Sequence, residues 1–318
     1  MKKWTVIFAL AAAASANASF DLMLLPSGDG RVSRIDPINR ASLGSFGPST
    51  PSQVFSSSGG IWVQNSTNRY ARYDYSTGEL LLQSSVLPGF TSNAIAGNSS
   101  TFLLGLVGSS IREFNMSTGA SATIGTTSST VVYSQIERMP NGILVLMGKV
   151  TATNKFVCST YSSSGVLIDS LQTTENVFDA VGQMAITGSG FNYRASAFYG
   201  TGGGSPTPRL TTMNITATGL VTGFTGITVP STTWSANAEP ATVAGHDGLW
   251  VVGRSVAGTT QISQIALNPT PSVVDTYSIN HNLPDSGRWS MVNIVAPEPS
   301  SLWALGLAAF ACIRRRRS

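Results

Sequence analysis

Tyr73-Asp74-Tyr75-Ser76-Thr77-Gly78 and Phe114-Asn115-Met116-Ser117-Thr118-Gly119 are two copies of one turn. An Asp or Asn side chain closes such a turn on its own backbone, and Gly takes the left-handed position that a Cβ disfavours. Tyr161-Ser162-Ser163-Ser164-Gly165 and Met213-Asn214-Ile215-Thr216-Ala217-Thr218-Gly219 are looser versions. Ile35-Asp36-Pro37-Ile38-Asn39 and Leu267-Asn268-Pro269-Thr270 extend the series towards either end. A second motif precedes each turn: a small polar stretch, an apolar pair, a Gly turn and a strong apolar run. Gln53-Val54-Phe55 with Gly59-Gly60-Ile61-Trp62-Val63 shows it, as do Ala94-Ile95-Ala96 with Phe102-Leu103-Leu104-Gly105 and Gln135-Ile136 with Asn141-Gly142-Ile143-Leu144-Val145. Thr242-Val243-Ala244 with Asp247-Gly248-Leu249-Trp250-Val251 is a further copy, and Gln183-Met184-Ala185-Ile186 with Gly190-Phe191 a weaker one. No window sustains a helical period, so the chain reads as all-β.

Spacing between successive turns grows from about 40 to about 55 residues, the size of a four-stranded propeller blade. Six turns predict a single β-propeller of six blades, with seven as the alternative count and a sandwich or β-solenoid as the alternative folds. The first copy lacks its leading strand, because Asp21-Leu22-Met23-Leu24-Leu25 starts the region, while Ser290-Met291-Val292-Asn293-Ile294-Val295 has no hairpin after it. Pairing that last strand into the first blade would close the ring, hide its edges and bring the two ends of the domain together. Thr201 to Pro208 reads as a surface loop inside the fifth blade. The phrase Asp247-Gly248-Leu249-Trp250-Val251 resembles blade motifs of NHL-type and streptogramin-lyase-like propellers, a short likeness that implies fold alone.

The two termini read as addresses. Lys2 and Lys3, the apolar run Trp4 to Ala14 and the small residues Ala16 and Ala18 form a secretory signal with cleavage before Ser19. Pro297-Glu298-Pro299 leads into the apolar run Ser300 to Ile313 and then Arg314, Arg315, Arg316 and Arg317. As a helix this run would span about 21 Å at about 1.5 Å per residue. A bilayer core is about 30 Å thick, so the flanks must contribute and the arginines snorkel to the headgroups. The positive block would hold that end in the cytoplasm. The three parts in this order resemble the PEP-CTERM signal of exported proteins in Gram-negative bacteria with exopolysaccharide envelopes. The resemblance implies recognition and removal of the tail by an exosortase and delivery to the cell surface or matrix. The expected organisation is signal peptide 1–18, propeller 19–296 and sorting tail 297–318 with a transmembrane helix.

These ends also explain the charge. Lys2, Lys3 and Arg314 to Arg317 are six of 19 basic residues and Glu298 one of 15 acidic ones, leaving 13 basic against 14 acidic groups over 19–296. No basic stripe remains for phosphate, so a nucleic-acid partner is excluded.

Catalytic chemistry is sparse. Cys158, within Phe156-Val157-Cys158, reads as a buried strand residue, and His246 and His281 as exposed turn residues without metal-ligand spacing. Glu113, Glu137, Glu175, Asp179 and Glu239 fall at expected strand ends, where a propeller could gather several at one mouth of its channel. Gly188-Ser189-Gly190 lacks the Gly-x-Ser-x-Gly spacing, and Gly200 to Gly204 precedes no helix. Trp62, Trp234, Trp250 and Trp289, with Tyr70, Tyr73, Tyr75 and Tyr193, are either sugar-stacking platforms or core between blades. No catalytic, cofactor-binding or metal residue is assigned, and no cofactor is expected. The expected role is a non-enzymatic surface or matrix module, with the exosortase, the inner membrane and extracellular polysaccharide or a surface protein as partners. The alternative is an extracellular propeller hydrolase or lyase acting on glycan or lactone.

Overall fold

The computed structural model describes residues 19–27, 30–57, 60–65, 67–90, 94–177, 181–189, 192–201, 207–228, 241–244, 249–254, 259–267, 271–281 and 289–295. The signal segment, the tail with its arginines and apolar run, Asp179, Trp234, Glu239 and His246 lie outside these residues. Among the described residues, no helix is long and apolar enough to cross a membrane.

Twenty-four strands form six antiparallel four-stranded sheets, the blades of one propeller. Blade 1 holds β1 (Ser19–Leu25), β2 (Val32–Asp36) and β3 (Ala41–Phe46). Blade 2 holds β4 (Pro51–Ser57), β5 (Gly60–Asn65), β6 (Tyr70–Tyr73) and β7 (Leu80–Gln83). Blade 3 holds β8 (Ile95–Gly97), β9 (Phe102–Val107), β10 (Ser110–Asn115) and β11 (Ser121–Thr126). Blade 4 holds β12 (Val131–Arg138), β13 (Leu144–Val150), β14 (Lys155–Tyr161) and β15 (Leu167–Asn176). Blade 5 holds β16 (Ala185–Ser189), β17 (Asn192–Thr201), β18 (Thr207–Thr216) and β19 (Val221–Thr228). Blade 6 holds β20 (Ala241–Ala244), β21 (Leu249–Arg254), β22 (Thr260–Ala266) and β23 (Ser272–Ile279).

The last strand, β24 (Ser290–Val295), supplies the inner strand that blade 1 lacks. It pairs antiparallel with β1 from Ser19↔Val295 to Leu24↔Ser290. The expected closure is therefore the one observed, and it removes the open edge that β1 would otherwise expose.

Packing explains why the second strand of each blade reads as a continuous apolar run. Successive side chains of a strand point to opposite faces, and here both faces meet a neighbouring blade. Leu22 and Leu24 pack with Val54, Ile61 and Val63 of blade 2. Their neighbours Met23 and Leu25 pack instead with Trp250, Val252 and Ile262 of blade 6. Six such clusters fill the six gaps between successive blades, so the core is a ring rather than one centre.

Glycine is required where backbones approach between blades. Gly125 of β11 lies against Gly165 of the β14–β15 turn, which has φ +75°, and a Cβ on either would meet the other's backbone.

The inner strands β4, β8, β12, β16, β20 and β24 run parallel around a central channel. Their carboxyl ends define one face, where β24 ends at Val295 and the tail leaves; this is the exit face. The repeated turns among the described residues lie there. Asp74 Oδ1 accepts from Ser76 N at 2.8 Å and Thr77 N at 2.9 Å, and Asn115 Oδ1 from Ser117 N at 2.9 Å and Thr118 N at 3.1 Å. Gly78 and Gly119 follow with φ of 78° and 77°. In blades 4 and 5 a hydroxyl replaces the carboxyl or amide: Ser162 Oγ accepts from Val166 N at 3.1 Å and Thr216 Oγ1 from Leu220 N at 3.0 Å.

Exposed large apolar side chains are unevenly placed. Among the described residues, Ile38, Leu43, Leu80, Leu81, Val166, Leu167, Leu220, Val273 and Val274 lie in exit-face turns or in the half of an outer strand nearest that face. Only Leu87 and Val132 lie towards the far face.

Candidate functional site

The central channel holds a recess of about 250 Å³. Its inner end is made by Gln183 and Ser290, at the amino ends of β16 and β24, and its outer part by Ser56, Gly97, Glu137, Arg138 and Pro140 towards the exit face. Gly97 is needed at this point: a Cβ there would meet the backbone carbonyl of Ser56 on the adjacent inner strand.

Gln183 organises the inner end. Its side-chain Nε2 donates to Trp289 O at 2.7 Å, and its Oε1 accepts from Trp289 N at 3.0 Å. Its own carbonyl accepts from Thr242 N at 3.0 Å and also from Thr242 Oγ1. One residue therefore ties the lead-in of blade 5 to β20 of blade 6 and to the lead-in of β24. Gln135 has a similar role in the preceding blade, donating to Val181 O at 3.0 Å, while Ser134 Oγ both donates to Val181 O and accepts from its N, each at 3.1 Å. Buried amides need partners, and Gln183 pairs both polar atoms of its amide, and Gln135 its Nε2, with backbone from another blade.

Charge enters at the outer part. Arg138 Nη2 lies 3.6 Å from Glu113 Oε1, which also accepts from Asn98 Nδ2. Of the carboxylates singled out in the sequence, Glu137 lines the recess itself, and Glu113 pairs with the lining residue Arg138 between blades 3 and 4. Arg138 was not singled out, although a charged pair ending a leading strand otherwise built from apolar and neutral polar residues marks it. Glu175 is elsewhere, at the far end of β15. It accepts from Tyr199 OH at 2.7 Å and pairs with Arg209 at 2.9 Å, and burial followed by this carboxylate raises the phenol far above its ordinary range.

The remaining sequence candidates are structural. Cys158 is fully buried in β14, and burial, then Asp169, pushes its thiol up to about 12, so no thiolate forms at neutral pH. His281, expected to be exposed, is half-buried, and its Nε2 lies 2.8 Å from Pro26 O, joining the end of β23 to the end of β1. Trp62, Trp250, Trp289, Tyr70, Tyr73 and Tyr193 are all buried between blades, which removes them as stacking platforms; Tyr75 alone of the described candidates is half-exposed. Trp62 also spends its indole N–H on Ser99 O. Among the described residues, no three His, Cys, Asp or Glu side chains gather as a metal site.

A second hollow of about 260 Å³ lies on the far face between blades 3 and 4. Hydroxyls of Ser109, Thr127, Ser128 and Ser129 border it, with Tyr133 beneath.

The family model for the PEP-CTERM protein-sorting motif matches residues 295–317, beginning on the last residue of β24. The motif implies processing by an exosortase, export, and a membrane-anchored precursor in a Gram-negative bacterium. No curated protein matches the chain in sequence. Among solved structures, the chain is similar to the six-bladed fucose-recognising lectin of Aleuria aurantia, at 18% identity over 84% of this chain and 96% of that one, with a TM-score of 0.48. It is also similar to the calcium-binding protein regucalcin of Agrobacterium tumefaciens, at 13% identity over 76% and 77%, TM-score 0.48. Hydrazine synthase of Kuenenia stuttgartiensis matches at 11% identity over 83% and 87%, TM-score 0.49.

Proposed function

We propose that this exported propeller is a non-enzymatic component of the cell surface or extracellular matrix that binds envelope polysaccharide at its central recess. The observation that carries the reading is the junction of β24 with the sorting motif. The strand that closes the ring is complete where the motif begins, so removing the tail would release an intact module.

Polysaccharide suits the lining. Ser56 and Ser290 offer neutral polar groups, and Glu137 with Arg138 adds charge of both signs for sugar hydroxyls or carboxylates. The volume is below the roughly 300–1,000 Å³ of drug-sized sites, which fits one sugar unit or a chain end rather than a long oligosaccharide.

Calorimetry with the exopolysaccharide of the producing strain tests this. Saturable binding is expected, weakened about tenfold in Arg138→Met through loss of a charge-assisted contact. Absence of binding, or binding unchanged by that substitution, would sink it. Mass spectrometry of the released protein should show the chain starting near Ser19 and lacking the arginine block; full-length cytoplasmic protein would contradict the surface destination.

The alternative, a hydrolase or lyase acting on glycan or lactone, is favoured by one observation: the carboxylate of Glu137 lines the recess beside Arg138, which itself pairs with Glu113. New reducing ends or opened lactone after prolonged incubation, abolished in Glu137→Gln, would establish it over the binding module.

A further inference from the structure

We propose that the exit face rests on the phospholipid bilayer in the anchored precursor, with its rim of aliphatic side chains seated in the headgroup layer. Three independent features converge on this. The first is tether length. Between Val295, the last residue of β24, and the apolar run from Ser300 stand four residues, 296–299. Fully extended, they reach about 14 Å at about 3.5 Å per residue. A tether that short holds the face it leaves from beside the membrane.

The second feature is the distribution of exposed apolar surface. Nine of the eleven large apolar side chains left exposed among the described residues lie towards the exit face. They are spread around it rather than clustered: Ile38, Leu80, Val166, Leu220 and Val274 come from five different blades. Val166 and Val274 are 65% and 60% exposed and leave apolar area that contact with a membrane surface would bury. A ring of contacts around one face matches a flat surface, whereas a protein partner would more often require one contiguous patch.

The third is that the same turns carry groups suited to an interface. Tyr75, half-exposed in the β6–β7 turn, has an apolar ring with a polar tip, the combination found at headgroup depth. In the turns between the aliphatic residues, backbone N–H groups of Ser76, Thr77, Val166 and Leu220 are bonded within the turn, so shallow insertion strands few polar groups.

This orientation depends on the anchored precursor and not on the ligand proposed for the recess, so the two can fail separately. It also has a consequence for the recess, whose outer part faces the membrane until the tail is removed.

The full chain, in a Cys312→Ser background, can be reconstituted into phosphatidylethanolamine–phosphatidylglycerol vesicles containing brominated lipid. Single variants Ile38→Cys, Val166→Cys and Val274→Cys, with Leu87→Cys and Val132→Cys as far-face controls, then carry an environment-sensitive fluorophore. Cys158 is fully buried and stays unlabelled. Quenching by brominated lipid several-fold stronger at the three exit-face positions than at the two controls is expected. Equal quenching at all five would overturn the orientation. Energy transfer between labelled copies without lipid quenching would assign the rim to a second copy of the chain and overturn it as well. A fluorophore at Leu80→Cys supplies a further check. Adding Ile38→Ser, Val166→Ser and Val274→Ser should reduce its quenching towards the control level while circular dichroism stays unchanged, since all three residues are exposed. Undiminished quenching would show that the tether alone holds the face down and overturn the role of the rim.

Discussion

On the exit face the same device recurs from blade to blade: a side-chain oxygen caps a short turn, a left-handed residue follows, and an aliphatic residue opens the outer strand. On the far face the described connections vary more from blade to blade. Asn154 and Asn68 turn the chain with φ of 53° and 59°, His281 braces Pro26, and Gln183 reaches the backbone of Trp289. The contrast separates two tasks. Local turns build each blade and are encoded within a few residues, whereas joining the blades into a closed ring relies on contacts between residues far apart in the chain.

The comparison predicts where the molecule is fragile. Gln183→Ala should be the most damaging single change, because it removes two buried hydrogen bonds to the backbone of Trp289 that tie blade 5 to the closing strand. At about 1.5 kcal/mol for each buried bond lost, chemical denaturation should show a loss of about 3 kcal/mol. A loss below about 1 kcal/mol would mean that water replaces the amide and that ring closure does not depend on this clamp.

Gly165→Ala tests the regular face at its tightest point. The residue combines φ +75° with backbone contact to Ile124 and Gly125, so a loss of about 2–3 kcal/mol is expected, against about 1 kcal/mol for Gly108→Ala, whose added Cβ meets nothing within 4 Å. Gly108 has φ +60°, so its small strain serves as the baseline for the contact contribution.

Asp74→Ala should cost about 1 kcal/mol through loss of the turn's cap, and the loss should depend on pH. Hydrogen bonds from Ser76 and Thr77 hold the folded carboxyl below its ordinary value of 3.8. Its stabilisation is therefore complete above that value and disappears as pH falls through the lower folded one. Wild type and Asp74→Ala should converge in acid and differ at neutral pH. Tyr277→Phe should have the smallest effect, about 0.5–1 kcal/mol. Its phenol donates to Pro37 O at 2.9 Å across the seam between blades 6 and 1, beside the largely exposed Arg40–Asp275 pair. A larger effect would show that the seam is held on the exit face as well as by Gln183.

The same division explains what the sequence revealed. The capped turns at Asp74 and Asn115 were legible because their hydrogen bonds span two or three residues, and six such turns predicted six blades. The closing role of residues 290–295 was legible because one blade lacked an inner strand and one strand lacked a blade. Gln183 could be read only as a member of a weak repeat, since its partner is 106 residues away and is backbone. Composition cannot tell an aromatic that faces solvent from one between two blades. Trp62 and Trp250 alternate with apolar neighbours that are themselves buried on the opposite face, so each strand has no solvent side. The recess is half legible: Glu113 and Glu137 stand in the sequence as scattered carboxylates, but the pairing of Glu113 with Arg138 depends on how two blades are angled.

The pairing of β1 with β24 has a further consequence, in time rather than space. During synthesis and export, β1 is the first strand of the ring to emerge and β24 the last, with the sorting motif directly behind it. Blades 2 to 6 can each form as their own hairpins appear, but blade 1 must wait for the whole domain. The ring therefore snaps shut only as the anchor reaches the membrane, and a chain stalled or cut before residue 290 would remain an open crescent with β1 as an unpaired edge, a ready substrate for quality-control proteases.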